Sequence, residues 1–221
     1  VNGVLLDLDG TLVDTAPDLV AVLNALLVER KRPRMPYALA RNEVSNGSAG
    51  LIRLGFGAQT PADEFEILRA RFLELYLGMV CINSRLLIDL SELSGQLCDV
   101  AWGVVTNKPD VFTQPLLKAL GIAERFASVV SGDRLPQRKP DPAPLLLAAR
   151  ELGIAPEHCI YVGDAPRDIE AGRAAGMSTV AAAFGYVRPQ ENVLAWGADA
   201  IAHAPRDLGP TLRALLQRSR A

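Results

Sequence analysis

The apolar run "LLDLDGTLVDT" (5–15) carries two carboxylates, Asp7 and Asp9, where a buried strand would end. A buried carboxylate without a partner costs several kcal/mol or stays protonated, so this pair calls for compensation. Polar residues follow other short apolar runs in the same way: Thr106, Asn107 and Lys108 after "AWGVV", Lys139 in "QRKPDP", and Asp164 and Asp168 in "GDAPRD". Hard oxygen ligands of this kind suit Mg²⁺, which binds a few carboxylates and keeps several waters. A lysine beside them faces both the metal and a bound anion. Together these groups meet the needs of phosphoryl transfer to a carboxylate. In that reaction nucleophile and phosphate repel each other by about 4 kcal/mol for unit charges ~4 Å apart at an effective dielectric of ~20. A cation and an ammonium offset that repulsion and stabilise the equatorial oxygens of the transition state. The expected partner is a small-molecule phosphate ester.

The elements that must bring these residues together are legible as short apolar runs bounded by turn residues, at 3–9, 101–106, 127–131, 159–164, 178–184 and 198–202. The runs are continuous rather than alternating, as in strands covered on both faces. Helical patterns lie between them: Leu86, Leu90, Leu93 and Leu97 share one face, and "DPAPLLLAARELG" (141–153) ends in a glycine stop. This alternation predicts an α/β fold, a Rossmann-like three-layer core with a mostly parallel sheet. Open sheets of that kind bind ligands beyond the carboxyl ends of their strands, where the polar residues above would converge.

Residues 16–80 do not alternate. Leu19, Val22, Leu23, Leu26 and Leu27 form one helical stripe, and Phe65, Leu68, Phe72, Leu75 and Met79 form another. Thr15 and Asp18 read as the start of a capping box for the first. Between the stripes "SNGSAG" (45–50) reads as a loop or helix break. The expected organisation is an α/β core from 1–15 and 81–221 with an inserted all-helical cap at 16–80.

Composition excludes other classes. Hydrophobic residues make up 49% of the 221-residue chain, enough for a substantial core, and the formal net charge is −2. The one basic run, "ERKRPR" (29–34), reads as a solvated helix end, so no nucleic-acid partner is expected. The three cysteines, Cys81, Cys98 and Cys159, lie far apart without metal spacing, the usage of a reducing compartment. No segment reads as a signal peptide or a membrane span, so a soluble, cytoplasmic protein without a membrane partner is expected. His158, His203 and Trp102 read as structural, and Pro115 is expected to kink or break its helix. Composition and spacing leave the oligomeric state open.

"DLDGT" (7–11), the strand ending in Thr106, Lys139 in "RKPDP" and "GDAPRD" (163–168) resemble, in order, the signature motifs of the haloacid dehalogenase superfamily. The resemblance covers essentially the whole chain. It implies that Asp7 is a nucleophile forming an aspartyl phosphate, and that Asp9 is first the acid for the leaving alcohol and then the base for water. It further implies that Thr106 and Lys139 hold the phosphoryl oxygens, and that Asp7, the Asp9 carbonyl and Asp164 bind Mg²⁺, with Asp168 and Asn107 in support. The insert resembles the family's helical cap. Halide leaving groups need no acid, so Asp9 points to phosphate esters. A receiver-like phosphorylation switch uses similar residue types. It places an acidic pair first and the accepting aspartate one strand later, however, and it has no helical insert.

"DTAPDL" (14–19), "VVTNKP" and "FGYVRPQENVLAWGAD" (184–199) are similar to bacterial N-acetylmuramic acid 6-phosphate phosphatases, which serve cell-wall sugar recycling. The alternative is hydrolysis of 2-phosphoglycolate. "RLLIDLSEL" (85–93) departs from the resemblance, which has a glycine before this helix. Selection between leaving groups is expected from Asn46, Gly47 and Ser48, where glycine lets backbone approach a ligand, and from the flanking Arg41 and Arg53.

Overall fold

The computed structural model describes residues 2–218. In chain order the first elements are β1 (Asn2–Leu6), β2 (Val13–Asp14), α1 (Ala16–Glu29), α2 (Tyr37–Arg41), α3 (Gly47–Phe56), α4 (Ala62–Leu77) and β3 (Arg85–Leu86). There follow α5 (Leu90–Gln96), β4 (Val100–Val105), α6 (Asp110–Ala119), β5 (Ser128–Val130), α7 (Ala143–Leu152) and β6 (Cys159–Gly163). The chain continues through α8 (Pro166–Ala174), β7 (Ser178–Ala182), β8 (Ala200–Ala202) and α9 (Leu208–Arg218).

Six strands form one parallel sheet in the order β5-β4-β1-β6-β7-β8. Alternate residues of β1 face opposite layers, as the two-residue period of a strand requires. Val4 and Leu6 pack with Leu116 and Leu117 of α6, Leu90 and Leu93 of α5, and Leu208 and Leu212 of α9. Leu5 faces the other way, toward Leu145 and Ala148 of α7 and Ala171 of α8. Both faces are covered, so the strands carry continuous apolar sequence.

The helices α1, α3 and α4 build a separate core in which Leu19, Leu23, Leu26, Leu51, Ile52, Leu68, Phe72 and Tyr76 are buried. Phe112 and Tyr186 from the α/β layers join it. The chain passes into and out of these helices through a two-stranded antiparallel ribbon, with Val13 opposite Leu86 and Asp14 opposite Arg85.

Four local expectations are corrected or narrowed. "SNGSAG" is not a loop throughout: a short 3-10 turn covers Val44–Asn46, and α3 begins at Gly47, whose φ of 62° turns the chain between the two. Leu86 does not share the helix of Leu90 and Leu93, because its backbone pairs with Val13. Pro115 does not break α6: the buried face of Phe112, Leu116 and Leu117 holds the helix continuous despite the missing N–H. The capping box at α1 is absent. The Thr15 hydroxyl donates to Asp9 instead (2.5 Å), and Asp18 accepts from the amides of Asn83 (2.8 Å) and Ser84 (2.9 Å), tying α1 to the returning chain.

Candidate active site

The carboxyl end of β1 delivers Asp7 to the centre of the sheet edge, and the neighbouring strand ends supply its partners. Lys139 is 4% exposed, with Nζ 2.8 Å from Asp7 Oδ1 and 2.7 Å from Asp168 Oδ1. The same ammonium donates to the Val105 carbonyl (3.1 Å) and to the Tyr161 phenol (2.7 Å). The loop carrying Lys139 is fixed by Asn107, which exchanges two hydrogen bonds with its backbone: Nδ2 donates to the Lys139 carbonyl and Oδ1 accepts from the Lys139 amide, both at 3.0 Å. The Thr106 hydroxyl accepts from the Lys108 amide (3.1 Å), which leaves its own proton to be donated elsewhere.

Asp7, Asp164 and Asp168 each offer an oxygen within 4.8 Å of the others. Asp164 Oδ2 accepts from the Tyr186 amide (2.8 Å) and the Ser45 hydroxyl (3.2 Å), whereas its buried Oδ1 has no partner among the described residues. Asp168 also caps α8, its Oδ2 accepting from the Ala165 amide (3.1 Å). Gly10 and Gly185 leave no room for a Cβ beside Asp164, so the backbone closes directly around this carboxylate. Burial pushes the Asp7 carboxyl up to about 6 against the pull of Lys139, with Asp168 pushing the same way. Burial, reinforced by Asp7 and Asp168, pushes Asp164 up to about 8. The cluster therefore lacks positive charge. A hard divalent cation fits the donor set and would satisfy the orphaned Asp164 oxygen.

Asp9 points away from that cluster. Its Oδ1 is 3.0 Å from Lys108 Nζ and accepts the Thr15 hydroxyl. Burial disfavours the Lys108 ammonium, but Asp9 and Tyr76 hold its pKa above the ordinary value, and it lies 4.7 Å above the Tyr76 ring.

A cavity of about 480 Å³ opens between these groups and the helices above. The strand ends give it Asp7, Asp9, Thr106, Asn107, Lys108 and Lys139; the helices give it Asn46, Gly47, Ser48, Arg53, Phe65 and Arg69, among others. Of the residues expected to read the leaving group, Arg41 is not brought to this cavity. Its guanidinium stacks on Tyr186 (4.9 Å) and donates to the Gly185 carbonyl (3.3 Å), because α2 lies over the 184–188 loop. Sequence reasoning missed Arg69, although it stands four residues after Phe65 and three before Phe72 and so shares their helical face. It also missed Tyr161, whose only sequence signal is a phenol in an apolar strand that must find a partner.

The sequence profile described as haloacid dehalogenase-like hydrolase matches residues 1–176. An N-acetylmuramic acid 6-phosphate phosphatase of Pseudomonas putida is 41% identical over 210 residues, 94% of this chain and 94% of that protein. A phosphoglycolate phosphatase of Xanthomonas campestris pv. campestris is 42% identical over 209 residues, again 94% of each chain. Among solved structures, a predicted phosphoglycolate phosphatase from Haemophilus somnus superposes with a TM-score of 0.82 at 30% identity, covering 94% of this chain and 96% of that one.

Proposed function

The chain belongs to the haloacid dehalogenase-like hydrolases, and from that membership we propose that it hydrolyses N-acetylmuramic acid 6-phosphate through an aspartyl phosphate on Asp7. One observation supports the chemistry above others: a buried Asp7 carboxylate held 2.8 Å from Lys139 on the floor of a cavity between the strand ends and the inserted helices. In this reading the core (1–15 and 81–221) does chemistry common to all phosphate esters, and the helical cap (16–80) encloses the leaving group.

Asp7 attacks phosphorus in line with the ester oxygen, and the P–O bond breaks as Asp9 gives that oxygen a proton. Asp9 then takes a proton from water, which attacks the aspartyl phosphate and releases inorganic phosphate, leaving Asp7 a carboxylate again. Lys139 and the Thr106 hydroxyl donate to the phosphoryl oxygens. Asp7, Asp164 and the Asp9 backbone carbonyl would hold Mg²⁺, with Asp168 supporting the site through Lys139. When bound, the ion neutralises phosphoryl charge and lowers the repulsion between nucleophile and substrate. Lys108 holds Asp9 oriented, a role shared with Thr15.

Similarity does not choose the leaving group, since relatives with both substrate names are almost equally identical. The cavity favours the sugar. Its volume of about 480 Å³ suits a substituted hexose better than a two-carbon acid. Phe65 offers apolar surface to a pyranose ring, Asn46 and Ser48 offer hydrogen bonds, and Arg53 and Arg69 offer charge to the lactyl carboxylate. Phosphate release from N-acetylmuramic acid 6-phosphate, 2-phosphoglycolate and p-nitrophenyl phosphate tests the reading. The expected result is Mg²⁺-dependent turnover of all three, with the highest kcat/KM for the sugar. A higher value for phosphoglycolate reverses the substrate, and single-turnover behaviour reduces the protein to a phosphorylation switch.

A further inference from the structure

The segment "FGYVRPQ" (184–190) supplies none of the groups above that act on phosphate, yet it lies against the site. Its third residue, Tyr186, is 1% exposed and holds two separate places at once. The main-chain amide donates to Asp164 Oδ2 at 2.8 Å, and Gly185 lies so close to Asp164 Cβ and the Gly10 carbonyl that no side chain fits there. The phenol reaches in the other direction, to the ribbon and helix through which the chain enters the cap. It accepts from the amides of Thr15 (2.7 Å) and Ala16 (2.9 Å) and donates to Asp14 Oδ1 (2.9 Å).

That second contact fills a gap. The first amides of a helix have no intrahelical acceptor, and the ordinary cap of α1 is missing because the Thr15 hydroxyl is committed to Asp9. The phenol of a residue from the far end of the chain takes its place. The Arg41 guanidinium covers the other side of the ring and donates to the Gly185 carbonyl. A rigid ring thus joins the carboxylate with the orphaned oxygen to the start of the cap.

We propose that Tyr186 is a positioning residue that couples cation binding at Asp164 to the order of the joint between core and cap. The inference rests on the reading of Asp164 as a cation ligand. Coupling of this kind is reciprocal: a cation that fixes Asp164 also fixes the joint, and a loosened joint weakens the cation by the same factor.

Tyr186→Phe removes only the hydroxyl, keeping the ring, the amide to Asp164 and the Arg41 stack. Calorimetric titration with Mg²⁺ alone should show affinity weakened roughly fivefold, at the low end of typical coupling factors. Hydrogen exchange at the Thr15 and Ala16 amides should slow on Mg²⁺ addition in the unmodified protein and change little in the variant. Asp14→Ala, which removes the acceptor for the phenol, should shift Mg²⁺ affinity in the same direction by less. A Tyr186→Phe protein that melts earlier but binds Mg²⁺ unchanged, with the same exchange response, overturns the coupling and leaves the phosphatase reading intact. An unmodified protein that binds no Mg²⁺ overturns both.

Discussion

The floor and the roof of the cavity are built on opposite terms. On the floor Asp7, Lys139, Asp164 and Asp168 are all less than 5% exposed, and each is held by hydrogen bonds or ion pairs. On the roof Asn46 and Arg53 are exposed, and the Arg69 guanidinium makes a long contact, 3.5 Å, to Glu66. Side chains that cannot move keep reacting atoms in register, where misplacement by an ångström is expensive. Side chains that can move adapt to a leaving group, at some entropic cost on binding. The contrast separates what the protein does to a phosphate ester from which ester it accepts.

The largest effects belong to the floor. Asp7→Asn should lower kcat for every ester on the order of 10⁴-fold or more, since no phosphoenzyme can form. Asp9→Asn should cost roughly 10²–10⁴-fold on a sugar phosphate. The loss in its phosphorylation step should be smaller with p-nitrophenyl phosphate, whose leaving group needs no proton. Rapid-mixing measurement of the first turnover checks this. Equal losses on both esters in that step would remove Asp9 as the acid.

The roof should fail selectively. Arg53→Ala combined with Arg69→Ala should lower kcat/KM for N-acetylmuramic acid 6-phosphate roughly 10–100-fold, the range of lost charge-assisted contacts, and far less for p-nitrophenyl phosphate. Uniform loss across substrates would mean that these cations place the cap rather than read the ligand.

The smallest effect is one of stability. Burial raises Asp7 to about 6 and Asp164 to about 8, so the folded metal-free protein retains protons that the unfolded chain gives up near the ordinary value of 3.8. Stability is then whole below the ordinary carboxylate range and falls as pH rises through about 8. In chelator, melting temperature should drop by several degrees between about pH 5 and about pH 8, and Mg²⁺ should flatten that slope. A chelated protein that grows more stable over the same interval would show that the floor is already neutralised by Lys139.

Much of the floor was readable because Asp7, Thr106 and Asp164 each follow an apolar run, and the sheet places every such end on one edge. Lys139 stands nine residues beyond β5, and Asn107 fixes its loop against that edge. The contacts of Tyr186, Asp18 and Thr15 had no such signal. Tyr186 meets Thr15 only in the folded chain, and Thr15 and Asp18 together resemble a capping box while serving Asp9 and the Asn83–Ser84 turn. Local chemistry names the right residue types there, but tertiary partners outbid the local ones. Arg41 failed for a related reason. Its distance from "SNGSAG" along the chain is short, yet α2 turns it toward Gly185.

The central place of β1 also governs the order in which the molecule is assembled during synthesis. Asn2 must wait for Val100 before it has a neighbouring strand, and Gly3 must wait for Cys159 before it has a second. The helices of residues 16–77 find most of their partners among themselves and need no such delay. A nascent chain therefore builds its roof before its floor, and Asp7 gains its counterion only once Lys139, well past the middle of the chain, has left the ribosome.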